Sequence, residues 1–146
     1  MSNLLDPENL DYLLVQICRL HYTRAHALFE AVGLYRGQPP MLRALWEREG
    51  QSHTELAEQL QITPATTTRM IQRMEKAGFV QRQPDPADQR LSRVYLTDAG
   101  RAVRAEVDAL HARMEAETFA GLTPEQQEVL RACFQQMRAN LQAVST

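Results

Sequence analysis

Apolar residues recur at intervals of three and four through most of this chain, and the pattern changes to alternation in one place only. Leu10, Leu13, Leu14, Ile17, Cys18, Ala25, Leu28, Phe29 and Val32 keep helical spacing. Pro7 is expected to open that first helix and Gly33 to close it. Tyr35-Arg36-Gly37-Gln38-Pro39-Pro40 predicts a linker, because two prolines and a glycine discourage a helix. Met41, Leu42, Leu45 and Trp46 then face inward from a short helix ending near Gly50. Ser52-x-x-Glu55 is a capping box, so a helix burying Leu56, Ala57 and Leu60 starts there. After a short turn at Gln61-Ile62, Thr63 caps the next helix, Pro64 occupies its first turn and Gly78 ends it. The alternating stretch follows: Val80-Gln81-Arg82-Gln83 and Arg93-Val94-Tyr95-Leu96 read as two half-buried strands. Pro84, Asp85, Pro86 and Asp88 make the turn between them. Thr97 caps a long helix with Val103, Val107, Leu110 and Met114 on one stripe. Thr123-Pro124-x-Gln126 starts the last, with Val129, Leu130, Cys133, Phe134, Met137, Leu141 and Val144. The fold class expected is mainly α with a small β-hairpin, an α+β arrangement.

The helix after Thr63 has two chemically distinct faces. At about 100° per residue, Thr67, Met70, Ile71 and Met74 form one apolar stripe. Opposite lie Ala65, Thr68, Arg69, Gln72, Arg73 and Lys76, with Thr66 on the flank and no acid among them. Small hydroxyls and arginines suit a phosphate backbone and base edges, since Arg pairs two-pronged with guanine. Two helices joined by a tight turn and followed by a charged two-stranded ribbon make a winged helix–turn–helix. Arg90 and Arg93 stand just past the ribbon's tip, and a thin basic ribbon beside a reading helix reaches the neighbouring minor groove. Asp88 and Arg90, two apart, would share a face of an extended strand, so Asp88 is expected to position the guanidinium of Arg90.

On these residues the chain resembles the multiple-antibiotic-resistance regulator (MarR) family of bacterial winged-helix transcription factors. The resemblance rests on Glu55-Leu56-Ala57, Thr68-Arg69, Met74 to Val80, Asp85-Pro86-Ala87-Asp88-Gln89-Arg90 and Leu96-Thr97-Asp98-Ala99-Gly100. The last two stretches follow the family's wing pattern, Asp-x-Arg, a few residues, then Leu-Thr-x-x-Gly. Gln61 departs from it, since the family often has Gly in that turn. The resemblance covers nearly the whole chain. It implies one domain over residues 1–146, with 6–34 and 97–144 as dimerisation helices and 40–97 as the DNA-binding lobe. It implies a homodimer that regulates transcription, binds a pseudo-palindromic duplex and is released as a repressor by a small aromatic or phenolic ligand. The ligand cleft would draw on the first two helices, where Tyr22, His26, Met41 and Trp46 are candidates.

Charge distribution agrees with a reading lobe although the net charge of −2 does not advertise one. Residues 63–97 hold Arg69, Arg73, Lys76, Arg82, Arg90 and Arg93 against Glu75, Asp85 and Asp88, a local net of +3 that leaves −5 for the remainder. A 44% hydrophobic share is that of an ordinary globular chain, and no apolar run approaches the roughly 18 residues of a membrane span. The N-terminal stretch carries no basic leader, so a cytoplasmic, non-membrane protein is expected. Cys18 and Cys133 lie far apart on apolar helix faces, which fits reduced thiols, and Cys18 is expected to be a buried structural thiol. His26/Glu30 and His111/Glu115 stand four apart, a spacing that serves solvated surface contacts more often than a metal, so neither metal nor other cofactor is expected. Phosphate loops, His-Glu-x-x-His and Cys-x-x-Cys are all missing, which argues against an enzyme. A metal- or redox-sensing regulator of the same fold and a winged-helix module that binds protein remain as alternatives.

Overall fold

The structure, a computed structural model, describes residues 6–35 and 37–145, so Arg36 of the expected linker lies outside the described residues. The chain forms two compact units, Met1–His111 and Ala112–Thr146. The order of elements is α1 (Leu10–Glu30), α2 (Gln38–Glu47), β1 (Gln51–Ser52), α3 (His53–Leu60), α4 (Pro64–Lys76), β2 (Val80–Pro84), β3 (Ser92–Leu96), α5 (Asp98–Ala102), α6 (Arg104–Thr118) and α7 (Pro124–Val144).

Local chemistry sets most boundaries. Asn9, not Pro7, starts α1: its side-chain oxygen accepts from the N–H groups of Asp11 and Tyr12, and Pro7 lies in the preceding turn. Gly33, at φ +79°, reverses the chain after α1, and Leu34 N–H then reaches back to Phe29 O. The expected linker at 35–40 is half helix, since α2 already begins at Gln38 and takes both prolines into its first turn. First-turn N–H groups have no intrahelical acceptor, so the prolines cost nothing there. Ser52 and Glu55 form the capping box of α3, and Thr123 and Gln126 that of α7. The helix after Thr97 is not continuous: a turn at Val103 divides α5 from α6, while Val103, Val107 and Met114 keep the expected buried stripe.

The sheet has three antiparallel strands in the order β1-β3-β2. β2 pairs with β3 from Val80↔Leu96 to Pro84↔Ser92, so Pro84 is the end of a strand rather than part of the tip. The two-residue β1 adds Gln51↔Val94 and Ser52↔Arg93, a third strand that the alternation pattern did not show.

Within the first unit, one core joins Phe29 and Leu34 to Met41, Leu42 and Leu45 of α2, Leu56 of α3, Ile71 and Met74 of α4, Val80, Val94 and Leu96 of the sheet, and Val103 and Val107. The helix–turn–helix and the wing are therefore packed on a shared apolar base. In the second unit, α7 buries none of its residues fully; Val129, Phe134, Leu141 and Val144 are all exposed. Much of the first two-thirds of α1 is exposed as well, with Leu10 at 85% and Leu20 at 65%, although Leu13 and Leu14 are half-buried.

Candidate nucleic-acid interface

The outer face of α4 is held in place from both ends and from beneath. Thr63 Oγ1 accepts from Thr66 N–H at 3.2 Å and closes the N-terminus. At the C-terminus Gly78 takes φ +86°, Gly78 N–H bonds Glu75 O and Phe79 N–H bonds Met74 O. Those two bonds are a Schellman cap, which uses carbonyls that would otherwise be orphaned. Thr67, Ile71 and Met74 are buried, and Thr67 Oγ1 donates to Thr63 O. Ala65, Arg69, Gln72, Arg73 and Lys76 are exposed, and Thr66 and Thr68 half-buried, as the periodicity required. Gln61, the departure from the family pattern, takes the left-handed conformation at φ 54° that Gly would take.

The link from α3 to α4 includes a contact absent from the sequence reading. His53 Nδ1 lies 3.2 Å from Thr68 Oγ1, and His53 Nε2 is sealed from solvent without a partner among the described residues. Burial lowers the pKa of this imidazole below its ordinary value; the nearby Arg82 guanidinium lowers it further and Glu75 opposes both. Arg82 itself, on β2, is ion-paired to Glu75 of α4 at 2.7 Å. That pair ties the wing to α4 and occupies the one acid on that helix.

The wing is anchored through Asp85 and Arg93, not through Asp88. Asp85 is 6% exposed. It accepts from Arg93 Nε and from the N–H groups of Ala87 and Asp88. These bonds, the Arg93 contact foremost, hold its carboxyl below the usual range. Arg93 Nη1 also donates to Gly50 O at 2.8 Å and lies 3.6 Å from Glu55 Oε2. Arg93 thus faces inward, joining the wing to the start of α3, instead of standing free on the wing. The expected Asp88–Arg90 arrangement is corrected too. Residues 89 and 90 form a turn, no strand runs there, and Asp88 Oδ1 accepts from the backbone N–H of Arg90 at 3.0 Å. The Arg90 side chain is exposed, with no ion pair among the described residues.

Behind the lobe, a cavity of about 280 Å³ opens between α1, the start of α2 and the far end of its own unit at His111. Tyr22, His26, Phe29, Tyr35 and His111 give it an aromatic wall, and Arg43 supplies a cation. Tyr22 and His26 stack with centroids 6.3 Å apart, and Phe29 meets His111 edge-on at 5.1 Å. Burial lowers the His111 pKa, and Arg43 adds to the effect. Of the four ligand candidates, Tyr22 and His26 line this cavity. Met41 does not: it is fully buried in the core. Trp46 does not line it either; its Nε1 donates to Gly100 O at 2.8 Å. Arg43, Phe29, Tyr35 and His111 were missed, because residues from 22 to 111 meet only in the folded chain. Cys18 and Cys133 are both exposed, so the expected burial of Cys18 is wrong: α1 turns that side to solvent. Among the described residues no cluster of three or more His, Cys, Asp or Glu side chains could hold a metal, and no helix is long and apolar enough to cross a membrane.

A capped reading helix beside an anchored β-ribbon defines a winged helix–turn–helix protein, and comparison with known proteins supplies the family. A profile of the MarR family matches residues 34–92. The HTH-type transcriptional regulator TtmR of Methylorubrum extorquens (strain PA1) is 32% identical over 148 aligned positions, covering 94% of this chain and 72% of that protein. A MarR-like transcription regulator from Bacillus cereus ATCC 10987 superposes with a TM-score of 0.80 at 25% identity, over 90% of this chain and 95% of that one. BpsR of Bordetella bronchiseptica, whose DNA binding is regulated by 6-hydroxynicotinic acid, superposes at 0.77 and 25% identity, over 91% and 95%. The chain belongs to the MarR family of DNA-binding transcriptional regulators, which are not enzymes.

Proposed function

We propose that this protein is a dimeric, ligand-released repressor that reads a pseudo-palindromic duplex. The observation that carries the DNA reading is the outer face of α4, where Arg69, Gln72, Arg73 and Lys76 are exposed beside the half-buried Thr66 and Thr68 and no acid stands among them. α4 lies in the major groove, with Arg69 and Arg73 toward bases or phosphates, and the exposed Arg90 of the wing enters the adjacent minor groove. Arg93 and Asp88 shape the wing and leave the reaching to Arg90. A second copy of the chain covers the bare apolar positions of α1 and α7, since contiguous apolar surface of this kind marks an interface. Two α4 helices then meet half-sites about 10 bp, or roughly 34 Å, apart. In a cell without a nucleus such a DNA-acting regulator works in the cytoplasm.

The effector is a small aromatic molecule carrying an acidic or phenolic group. Its support is the cavity of about 280 Å³, whose ring-lined wall suits one or two fused rings and whose Arg43 suits an anionic oxygen. The regulation of BpsR by a hydroxylated aromatic acid points the same way. A duplex chosen by the wild-type protein from a randomised pool tests the whole reading: it should bind a dimer, with half-sites one helical turn apart, and dissociate when hydroxybenzoates are added. Tight binding of a single half-site by a monomer would overturn the dimeric reading.

A further inference from the structure

We propose that His53 is a positioning residue that fixes the hydroxyl of Thr68 as a hydrogen-bond donor toward DNA. This rests on the reading of the outer face of α4 as the DNA-contacting surface. His53 Nδ1 lies 3.2 Å from Thr68 Oγ1, and Nε2 is buried with no partner among the described residues. A neutral imidazole has one N–H to place. On Nε2 it would be an orphaned donor in the interior, which native structures avoid more strictly than an unpaired acceptor. On Nδ1 it donates to Thr68 Oγ1 and leaves a bare lone pair inside. Burial first, and the Arg82 guanidinium after it, disfavour a second proton on the ring, with Glu75 opposing both.

The consequence falls on Thr68. Its oxygen accepts from His53, so its own O–H has to point elsewhere. The neighbouring Thr67 returns its hydroxyl to the carbonyl four residues back, at 3.0 Å from Thr63 O. The Thr68 hydroxyl makes no such bond among the described residues; its side chain's sole hydrogen bond there is to His53. Half-buried on the flank of the reading face, it presents a proton to an acceptor on the duplex, either a phosphate oxygen or a purine or thymine acceptor in the major groove. Without His53 the hydroxyl is free to turn back on its own helix, as that of Thr67 does.

The test is the operator affinity, by fluorescence anisotropy at fixed salt, of the wild type, His53→Leu, Thr68→Val, the double variant, His53→Asn and Arg69→Ala. The probe is a labelled duplex selected by the wild-type protein from a randomised pool, and thermal unfolding confirms that each variant is folded. Thr68→Val and His53→Leu should each weaken binding about tenfold, as the loss of one hydrogen bond does. The double variant should be no weaker than either. His53→Asn, whose amide nitrogen can stand where Nδ1 stood, should restore most of the affinity. Losses that multiply in the double variant would show a merely structural histidine and overturn the proposal. So would an unchanged His53→Leu beside a weakened Arg69→Ala, which leaves the reading of α4 intact. Unchanged binding in all the variants would remove the DNA-contacting face itself. If the proposal holds, the source of the acceptor follows from Thr68→Val. A loss confined to one base pair of the selected duplex marks a base edge, and an equal loss on every sequence marks a phosphate.

Discussion

A methyl group on Gly100 would fall inside the carbonyl oxygen of Phe79, at the junction of α5 with the root of the wing. That carbonyl already accepts from Thr97 N–H at 3.0 Å, Thr97 Oγ1 bonds the carbonyl of Gly78, and Gly100 N–H bonds Thr97 Oγ1 at 3.1 Å. The Leu-Thr-x-x-Gly letters of the wing motif are therefore a steric and hydrogen-bonding unit. Gly100→Ala should lower stability by about 1–3 kcal/mol or more in denaturant unfolding, through overpacking against backbone that cannot yield. The two perturbed histidines give a second residue-scale prediction. The folded state holds protons on His53 and His111 less tightly than the unfolded chain, because burial lowers both pKa values from 6.5. Below that value the unfolded chain binds more protons, so stability is complete above about pH 6.5 and is lost as pH falls toward the lower folded values. The unfolding midpoint should drop between pH 7.5 and 5.5, and less in His53→Asn and His111→Asn; an unshifted midpoint would mean that the rings titrate freely.

At the scale of elements, the wing is a ribbon whose tip is shaped by a buried carboxylate. Asp85 satisfies two backbone N–H groups of the tip and the Arg93 guanidinium together. Replacing it with Ala should loosen the tip, seen as faster amide exchange at Ala87 and Asp88, and should weaken DNA binding although an acid has been removed. Simple charge arithmetic gives the opposite sign, so tighter binding by Asp85→Ala would show that the tip needs no anchor. Arg90→Ala should weaken binding most on duplexes with a narrow A/T-rich minor groove, because that groove concentrates negative potential. On α4, Arg69→Ala and Arg73→Ala should each cost on the order of 1–3 kcal/mol where a base is read. Where a phosphate is held instead, the salt slope should fall by about one.

The whole molecule carries apolar surface that one chain does not use. Leu141 and Val144 of α7 are 63% and 80% exposed. Leu141→Glu should shift the protein to a monomer in sedimentation and lower duplex affinity, while the melting of α3, α4 and the wing persists. A dimer that survives this change would move the interface elsewhere. Arg43→Ala should weaken the response to an aromatic acid and leave operator affinity without ligand nearly unchanged, because Arg43 lines the cavity and lies outside α4.

Capping boxes, Pro64, Gly78 and the stripe Thr67-Met70-Ile71-Met74 were legible because each acts within a few residues, where spacing alone decides which groups meet. The resemblance of the wing motif named the family on the same local letters. The helical start at Gln38 was lost because prolines are read as breakers, while at a first turn they are harmless. The break at Val103 left no mark on a stripe that continues through it. Tertiary structure alone decided the rest. β1 is two residues long and exists by pairing with Val94, more than forty positions on. Asp85, legible only as a turn residue, anchors the wing because Arg93 is drawn inward by Gly50 and Glu55. His53 met Thr68, and Tyr22 and His26 met Arg43 and His111, because packing brings together side chains whose separation along the chain carries no periodic signal.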